Sequence, residues 1–531
     1  MSIRRLFPII LICFVAILAV AATPDPDMWW HLRTGEYIVQ NGLPRADVFS
    51  FTVPGAPWLT HEWLTEVLMW TIYRAAGFDG LNLMFAAVVI TAFWISYLAC
   101  EGRPYVSCLV VSLAALVAFG SFGVRAQMFN LLFLSLFVLL IERFKDQSAI
   151  ARAAGNKLSV MALWPLPALT VVWANCHSGF MLGAVLLLAH AIGEGLQAWL
   201  GVRLGRGLDL RGIRTLGLTA VGCLAAALLN PHGFGLFTYS YETLSARYVA
   251  NGWVIEWASP SFHDITGWPF AAMLALGLLA WAFSPRRAAV TDVMLFVGTA
   301  AAGLYSARHV SLFAISSAPI ICRTLVHGVE GSSFHSELTG ASPEPATTPF
   351  RRALYSTVAV GMVVLAIVHG HYNLRAFDRA IGEKFPVAAV DFIEREGMAE
   401  QRVYNNYGWG GYLIWRGIPV FIDGRADVYG DEFIRKFVKA HFGQDDWRQP
   451  LDEYGVEYAL LLRDSRLRTL LLATREWREV YRDHLASVLV RATMQEHDAY
   501  RRCAKRFGGR REAPLWISSA SRAPRWQQSN P

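Results

Sequence analysis

Apolar residues in this chain arrive in long runs separated by short polar connections. A bilayer core is crossed by roughly 17 to 25 apolar helical residues, and scanning for such runs finds about eleven. They are 6–22, 81–100, 105–120, 128–141, 160–175, 180–200, 216–229, 268–283, 290–305, 310–321 and 355–368, several of them short. Between the first two, 27–40 has helical periodicity with Asn41-Gly42 as its stop, and 58–73 is a second amphipathic, Trp-rich stretch. Two such helices in one loop are expected to lie along the membrane surface. Beyond residue 373 the pattern becomes that of a small α/β domain. Its expected helices are 387–396, 433–441 and 447–454, with strands at 402–404, 419–423, 458–462 and 486–490 and a Gly-rich turn at 408–411. The expected fold is an α-helical polytopic membrane protein with a C-terminal α/β domain. It divides into 1–372, including a first loop at 23–78, then 373–497 and a basic, Ser- and Pro-rich, disordered tail at 498–531. The polar inner segments 142–157 and 323–352 read as linkers without motif.

Composition agrees: 531 residues, 54% hydrophobic and 17% charged, with a mean hydropathy of +0.34, exclude an ordinary soluble protein. The first run, followed at once by acids, reads as a retained anchor. The seven cysteines are scattered, with neither a disulfide framework nor metal-ligand spacing. A net charge of +7 does not point to nucleic acid, because the basic residues sort by side of the membrane.

With Arg4 and Arg5 on the cytoplasmic side, the alternate connections within 1–372 on that side carry far more Arg and Lys than those opposite, where the stretch 230–267 has Arg247 as its only basic residue. An odd number of spans then places the C-terminal domain outside. The outward connections collect Asp25, Asp27 and His31; Arg125 and Gln127; His177; Glu256, His263 and Asp264; and Arg308 and His309. Singly, Arg125, His177 or His309 reads as a snorkelling or interhelical residue. Together they point to one outward-opening polar site.

Asp25-Pro26-Asp27-Met28-Trp29-Trp30-His31 follows the first span. Asp25-Pro26 reads mainly as an N-cap with Pro at the first helical position. The stretch from Asp27 resembles the first outer loop of oligosaccharyltransferase catalytic subunits, which have an Asp-Pro-Trp opening, an Arg six positions on, then Tyr-Leu and Asn-Gly. The matching residues are Asp27, Trp29, Arg33, Tyr37, Ile38, Asn41 and Gly42, with Met28 where that family has Pro. The resemblance implies a polytopic glycosyltransferase of the GT-C superfamily, using polyprenyl-phosphate-linked sugars and carrying an essential Asp in this loop. The whole chain is also similar to bacterial membrane proteins of that superfamily, related to protein mannosyltransferases, which implies a bacterial inner-membrane location. Tyr404-Asn405-Asn406-Tyr407-Gly408 is similar in place to the Trp-Trp-Asp-Tyr-Gly acceptor motif of oligosaccharyltransferases, but Tyr404 and Asn405 replace its two Trp and Asn406 its Asp. Glycosylation of Asn-X-Ser/Thr is therefore not expected.

Moving a sugar from a lipid phosphate to a hydroxyl needs a base and cationic groups for the departing phosphate. Asp27 is the candidate base, with Asp25 supporting it or acting as cap. Arg125 and Arg308 are candidate phosphate clamps assisted by His177 and His309; His31, Arg33, Glu256, Asn405 and Asn406 are further candidates for substrate binding. Asp423 and Arg425 follow a buried strand, where α/β domains bind ligands, or else form an internal pair in a turn. Either no cofactor is needed, or a divalent cation (Mg or Mn) is held by Asp27, Glu256 and Asp264; the connection 120–124 offers no acid. The partners expected are the lipid bilayer, a polyprenyl-phosphate sugar and an unidentified acceptor. The competing readings are a transporter or flippase and a non-catalytic envelope protein. The first would carry inverted repeats, and none is visible in the sequence.

Overall fold

A computed structural model describes residues 1–20, 24–156, 161–202, 206–246, 255–332, 335–340, 342 and 347–492; the tail expected at 498–531 lies outside them. Every apolar run falls on a helix. The order is α1 (Ile3–Ala19), α2 (Met28–Asn41), α3 (Trp63–Ala99), α4 (Tyr105–Ala118), α5 (Met128–Ala153), α6 (Pro165–Cys176), α7 (Met181–Trp199), α8 (Leu210–Ala226), α9 (Gly235–Ser245), α10 (Trp268–Phe283), α11 (Val290–Tyr305), α12 (Val310–Gly328) and α13 (Pro349–Lys384). Among the described residues, five helical segments are long and apolar enough to cross a membrane: Trp63–Ala99, Ser178–Trp199, Ile265–Phe283, Ala307–Gly328 and Pro349–Lys384. These segments, with the composition, mark a membrane protein. The span of α12 is 83% buried and that of α13 only 6%, so α12 is the centre of the bundle and α13 presents its apolar sides to lipid.

Local chemistry sets the helix ends. Asp209 accepts from Gly212 N at the start of α8, and Thr348 accepts from Arg351 N at the start of α13, just ahead of Pro349. The C-terminus of α2 is closed by Gly42, at φ 86°, whose N–H donates to Ile38 O. The expected linker at 142–157 is helical to residue 153, because α5 carries charges that are paired inside the bundle. Arg323 of α12 donates to Glu142 at 2.8 Å and to Asp292 at 2.9 Å, and Lys145 lies 2.7 Å from Glu194. Buried charges persist when paired in this way.

The second amphipathic stretch is the first part of α3, which bends at Gly77, φ 61°, before the apolar part begins. The boundary expected at 372 falls inside α13, whose last carbonyls reach the C-terminal domain: Trp409 Nε1 donates to Lys384 O at 3.0 Å. That domain holds α14 (Val387–Arg395), β1 (Val403–Asn405), α15 (Gly410–Trp415), α16 (Ala426–His441), α17 (Gln449–Glu453), β2 (Tyr458–Leu462), α18 (Arg466–Ala473), β3 (Trp477–Arg482) and β4 (Ala486–Arg491). The sheet order is β1-β2-β4-β3, parallel only between β1 and β2.

Two expectations there are corrected. Residues 419–423 are buried and extended but form no strand, because their backbone is satisfied by other partners. Asn405 accepts from Phe421 N at 2.9 Å and donates to Ile422 O at 2.8 Å, while Val420 exchanges hydrogen bonds with Phe49 O and Phe51 N of the first loop. The Gly-rich segment is a 3₁₀ turn (Tyr407–Trp409) running into α15 rather than an open turn. Its glycines permit close approach: a Cβ on Gly410 would lie 2.1 Å from Ile422 O, and one on Gly411 2.7 Å from Pro26 O. α18 and β3 were not anticipated, the latter because Trp477-Arg-Glu-Val-Tyr-Arg482 carries too much charge to read as a strand.

Arg425 joins the two parts. It is 2% exposed, bonds Asp423 through Nε and Nη2 at 2.8 and 2.7 Å, and places Nη1 2.8 Å from Asp47 of the first loop. Its guanidinium stacks over Trp58 and Phe49 at 4.5 and 5.1 Å, and Tyr429 Oη donates to Asp423 at 2.6 Å. Removing one partner of a buried charge network leaves the others uncompensated and costs about 3–5 kcal/mol. Arg425→Met is therefore expected to destabilise the detergent-solubilised protein by about that amount in denaturant unfolding, and unchanged stability would refute the latch.

Candidate active site between the first loop and the C-terminal domain

Where the first loop, the ends of the bundle helices and the C-terminal domain meet, they enclose a cavity of about 550 Å³. Its wall includes Asp25, Asp27 and His31, then His61 and Glu62, Arg125, His177, Glu256, Arg308 and His309, and from the C-terminal domain Tyr407, Gly424, Arg425 and Asp427. Most of the polar residues that share one face in the sequence thus share one cavity, His263 and Asp264 excepted.

Asp27 precedes the first turn of α2. Its Oδ1 accepts from Trp30 Nε1 at 3.1 Å, and its N–H donates to Asp25 Oδ1 at 2.9 Å. The hydrogen-bonded helix is counted from Met28, but Asp27 already has helical dihedrals and Asp25 accepts from its N–H, the capping contact expected of Asp25-Pro26, while the other Asp25 oxygen lies 3.3 Å from Arg125. Desolvation, reinforced by the charge of Asp25, pushes Asp27 up to about 6, with Arg125, His31 and the Trp30 bond pulling the other way. Gly424 lies against this carboxylate: a Cβ there would sit 2.3 Å from Asp27 Oδ1.

Arg125 is the most engaged cation. Its two terminal nitrogens hold Glu256 Oε1 and Oε2 at 2.7 Å each, a bidentate fork, and Nη2 also reaches Gln127 at 2.5 Å. Arg308 stacks over Trp257 at 4.9 Å, 3.8 Å from the same Glu256. Despite desolvation, the two arginines hold Glu256 down at about 2, chiefly through the Arg125 bond.

The sequence did not single out a neighbouring cluster centred on Glu62. His177 Nε2 lies 3.1 Å from Glu62 Oε1 and His61 Nε2 3.5 Å from it, while His31 Nε2 lies 3.5 Å from Oε2. His177 Nδ1 accepts from Gly179 N and faces Asn130 Nδ2, so its Nε2 carries the proton offered to Glu62. His31 is sandwiched: its Nδ1 faces Glu66 Oε1 at 3.2 Å. Against its own desolvation, Glu62 is held well below the usual carboxylate range by His61, His31 and His177, and raises His31 and His61 in return. The legible signal was Glu62 and Glu66 four residues apart beside His61, in the amphipathic stretch 58–73.

Other expected residues lie elsewhere. Arg33 pairs with Glu36 and opens onto a separate groove. Asn405 is consumed by the 421–422 backbone, and Asn406 accepts from Gly408 N at the start of the 3₁₀ turn. Asp423 is buried in the Arg425 latch, the internal-pair alternative. Arg425 touches the cavity, but its guanidinium is spent on the two aspartates. The metal set Asp27, Glu256 and Asp264 is not assembled: Asp264 is exposed and away from the cavity, and both Glu256 oxygens are held by Arg125. Among the described residues, His31, Glu62 and Glu66 offer ligand atoms within 4.8 Å of one another, and Glu66 Oε2 is buried without a partner. That donor set fits a divalent cation.

No family model and no curated protein matches the sequence. Among solved structures, the apo oligosaccharyltransferase of Archaeoglobus fulgidus matches with a TM-score of 0.49 at 11% identity, over 86% of this chain and 69% of that one. ArnT from Cupriavidus metallidurans, bound to undecaprenyl phosphate, gives 0.44 at 14%, over 92% and 97%. The mycobacterial arabinofuranosyltransferase AftD gives 0.44 at 13%, over 94% of this chain and 40% of that one.

The environment of Asp27 is open to direct measurement. Infrared difference spectra of wild type against Asp27→Asn are expected to show its carboxyl titrating at about 6. A midpoint near the ordinary aspartate value of about 4 would contradict the desolvated placement.

Proposed function

We propose that this protein is a membrane glycosyltransferase that moves a sugar from a polyprenyl-phosphate-linked donor onto an acceptor outside the cytoplasmic membrane of a bacterium. The observation that carries the reading is that Asp27, raised to about 6, shares one cavity with Arg125 and Arg308. A base poised near neutral pH and two fixed cations are what transfer from a lipid phosphate to a hydroxyl requires.

The Asp27 carboxylate takes the proton of the acceptor hydroxyl, whose oxygen forms a bond to the anomeric carbon as the bond to the phosphate oxygen breaks. The departing phosphate gains one negative charge, and the guanidinium groups of Arg125 and Arg308 stabilise it. Because they are fixed before the reaction, little reorganisation is needed. Trp30 and the close backbone of Gly424 aim the carboxylate, and Asp25 keeps its pKa high. A divalent cation, when bound, would be held by His31, Glu62 and Glu66 and would supply positive charge beside Asp27; the proton transfer itself needs only the residues above.

Three outcomes are expected when purified protein is given a polyprenyl-phosphate sugar and release of the lipid phosphate is followed. Asp27→Asn should lose about 10²- to 10⁴-fold in rate, the usual contribution of a general base; equal turnover would remove it from the mechanism. Asp27 must be ionised to act, so the wild-type rate should rise with pH up to about 6 and level off above it; a flat profile from pH 4 to 8 would contradict this. Arg125→Gln and Arg308→Gln should weaken donor binding more than acceptor binding, and unchanged donor affinity in both would sink the clamp.

A further inference from the structure

We infer that Glu256 is an internal occupant of the phosphate site, a carboxylate that the donor's phosphate must displace and that thereby sets the affinity and selectivity for the lipid phosphate. This rests on the reading of Arg125 and Arg308 as the phosphate clamp.

The geometry is one of substitution. A guanidinium can grip a bidentate anion through its two terminal nitrogens or through Nε and one of them, as Arg425 grips Asp423. On Arg125 the second edge shares Nη2, which already serves Gln127, so the terminal pair is the fork at issue. A carboxylate and a phosphate both present two oxygens that suit it. On Arg125 that fork is already taken, with 2.7 Å to each Glu256 oxygen, and Arg308 leans towards the same carboxylate at 3.8 Å. Phosphate cannot use the fork while Glu256 holds it, and the two anions repel if both stay. Asp25, 3.3 Å from Arg125, adds to that repulsion.

Glu256 is also built to leave. Its backbone is tied down: Ser306 Oγ donates to Glu256 O at 3.1 Å, and Ala307 N to Ala258 O at 2.9 Å. The side chain is 35% exposed, against 15% for Arg125, so rotation about its own bonds takes the carboxylate off the fork without disturbing the turn that holds it. Trp257 meanwhile keeps Arg308 in place through its ring. In the empty cavity the arginines are neutralised and ordered. When donor binds, one anion replaces another and the charge near the arginines is unchanged. Anions with a single oxygen, or too weak to compete with a carboxylate, are rejected, which is specificity by competition. After transfer the carboxylate can return to the fork and help expel the product.

The test is binding of undecaprenyl phosphate, and separately of inorganic phosphate, to the full-length protein in detergent. Glu256→Gln keeps the shape but removes the charge, and is expected to bind undecaprenyl phosphate about tenfold more tightly, equivalent to about 1.4 kcal/mol. Glu256→Asp, with its charge drawn back by one methylene, should tighten binding by less; it serves as the readout if Glu256→Gln does not fold. Tightening towards both probes assigns the competition to the phosphate group itself, as inferred. Tightening towards inorganic phosphate alone overturns the lipid assignment. Weaker or unchanged binding in both Glu256 variants, while Arg125→Gln and Arg308→Gln still weaken it, overturns the inference and leaves the clamp standing. Unchanged binding in all four variants overturns both.

Discussion

A guanidinium with almost no exposure is where the membrane bundle and the C-terminal domain become one object. Arg425 is bonded to Asp423 of its own domain, set against Asp47 of the first loop, and roofed by Phe49 and Trp58. Burying three charges is costly unless each has a partner, so this arrangement tolerates little displacement. It is also what presses Gly424 against Asp27. The cavity therefore has the C-terminal domain as one of its walls, and its shape depends on this ion pair.

From that constraint follows the electrostatic character of the cavity. Asp27 is a half-buried carboxylate whose partial desolvation, with another acid beside it, raises it, whereas Glu62 and Glu256 are lowered by the cations around them. Acids within one cavity are thus driven to opposite ends of the carboxylate range by their neighbours, and such separation is how a protein assigns distinct roles to chemically alike groups.

Much of this was legible in the chain. The apolar runs, the stop at Gly42, the prominence of Asp27 and the convergence of Arg125, His177, Arg308 and His309 all follow from hydrophobic length and the one-sided placement of polar groups. What was not legible depended on packing. Glu62 and Glu66 sit in a Trp-rich stretch that reads as a surface helix, and their meeting with His31 appears only when α2 lies on α3. Asp423 and Arg425 looked like ligand groups because they follow an apolar segment; that segment's partner turned out to be the first loop, so the pair became structural. Asp264 and Arg33 share the favoured face, but neither lines the cavity, and a sequence assigns residues to a side of the membrane without saying which of them meet.

The central claim is that this cavity binds a lipid phosphate between Arg125 and Arg308 with Asp27 facing it. The most direct measurement is a structure of the protein with undecaprenyl phosphate bound, determined by cryo-electron microscopy in a lipid nanodisc. The account predicts phosphate density within hydrogen-bonding distance of both guanidinium groups, in the cavity that holds Asp27, with the Glu256 carboxylate turned off the fork. Phosphate density anywhere else, such as the groove beside Arg33, with Glu256 still paired to Arg125, would contradict it.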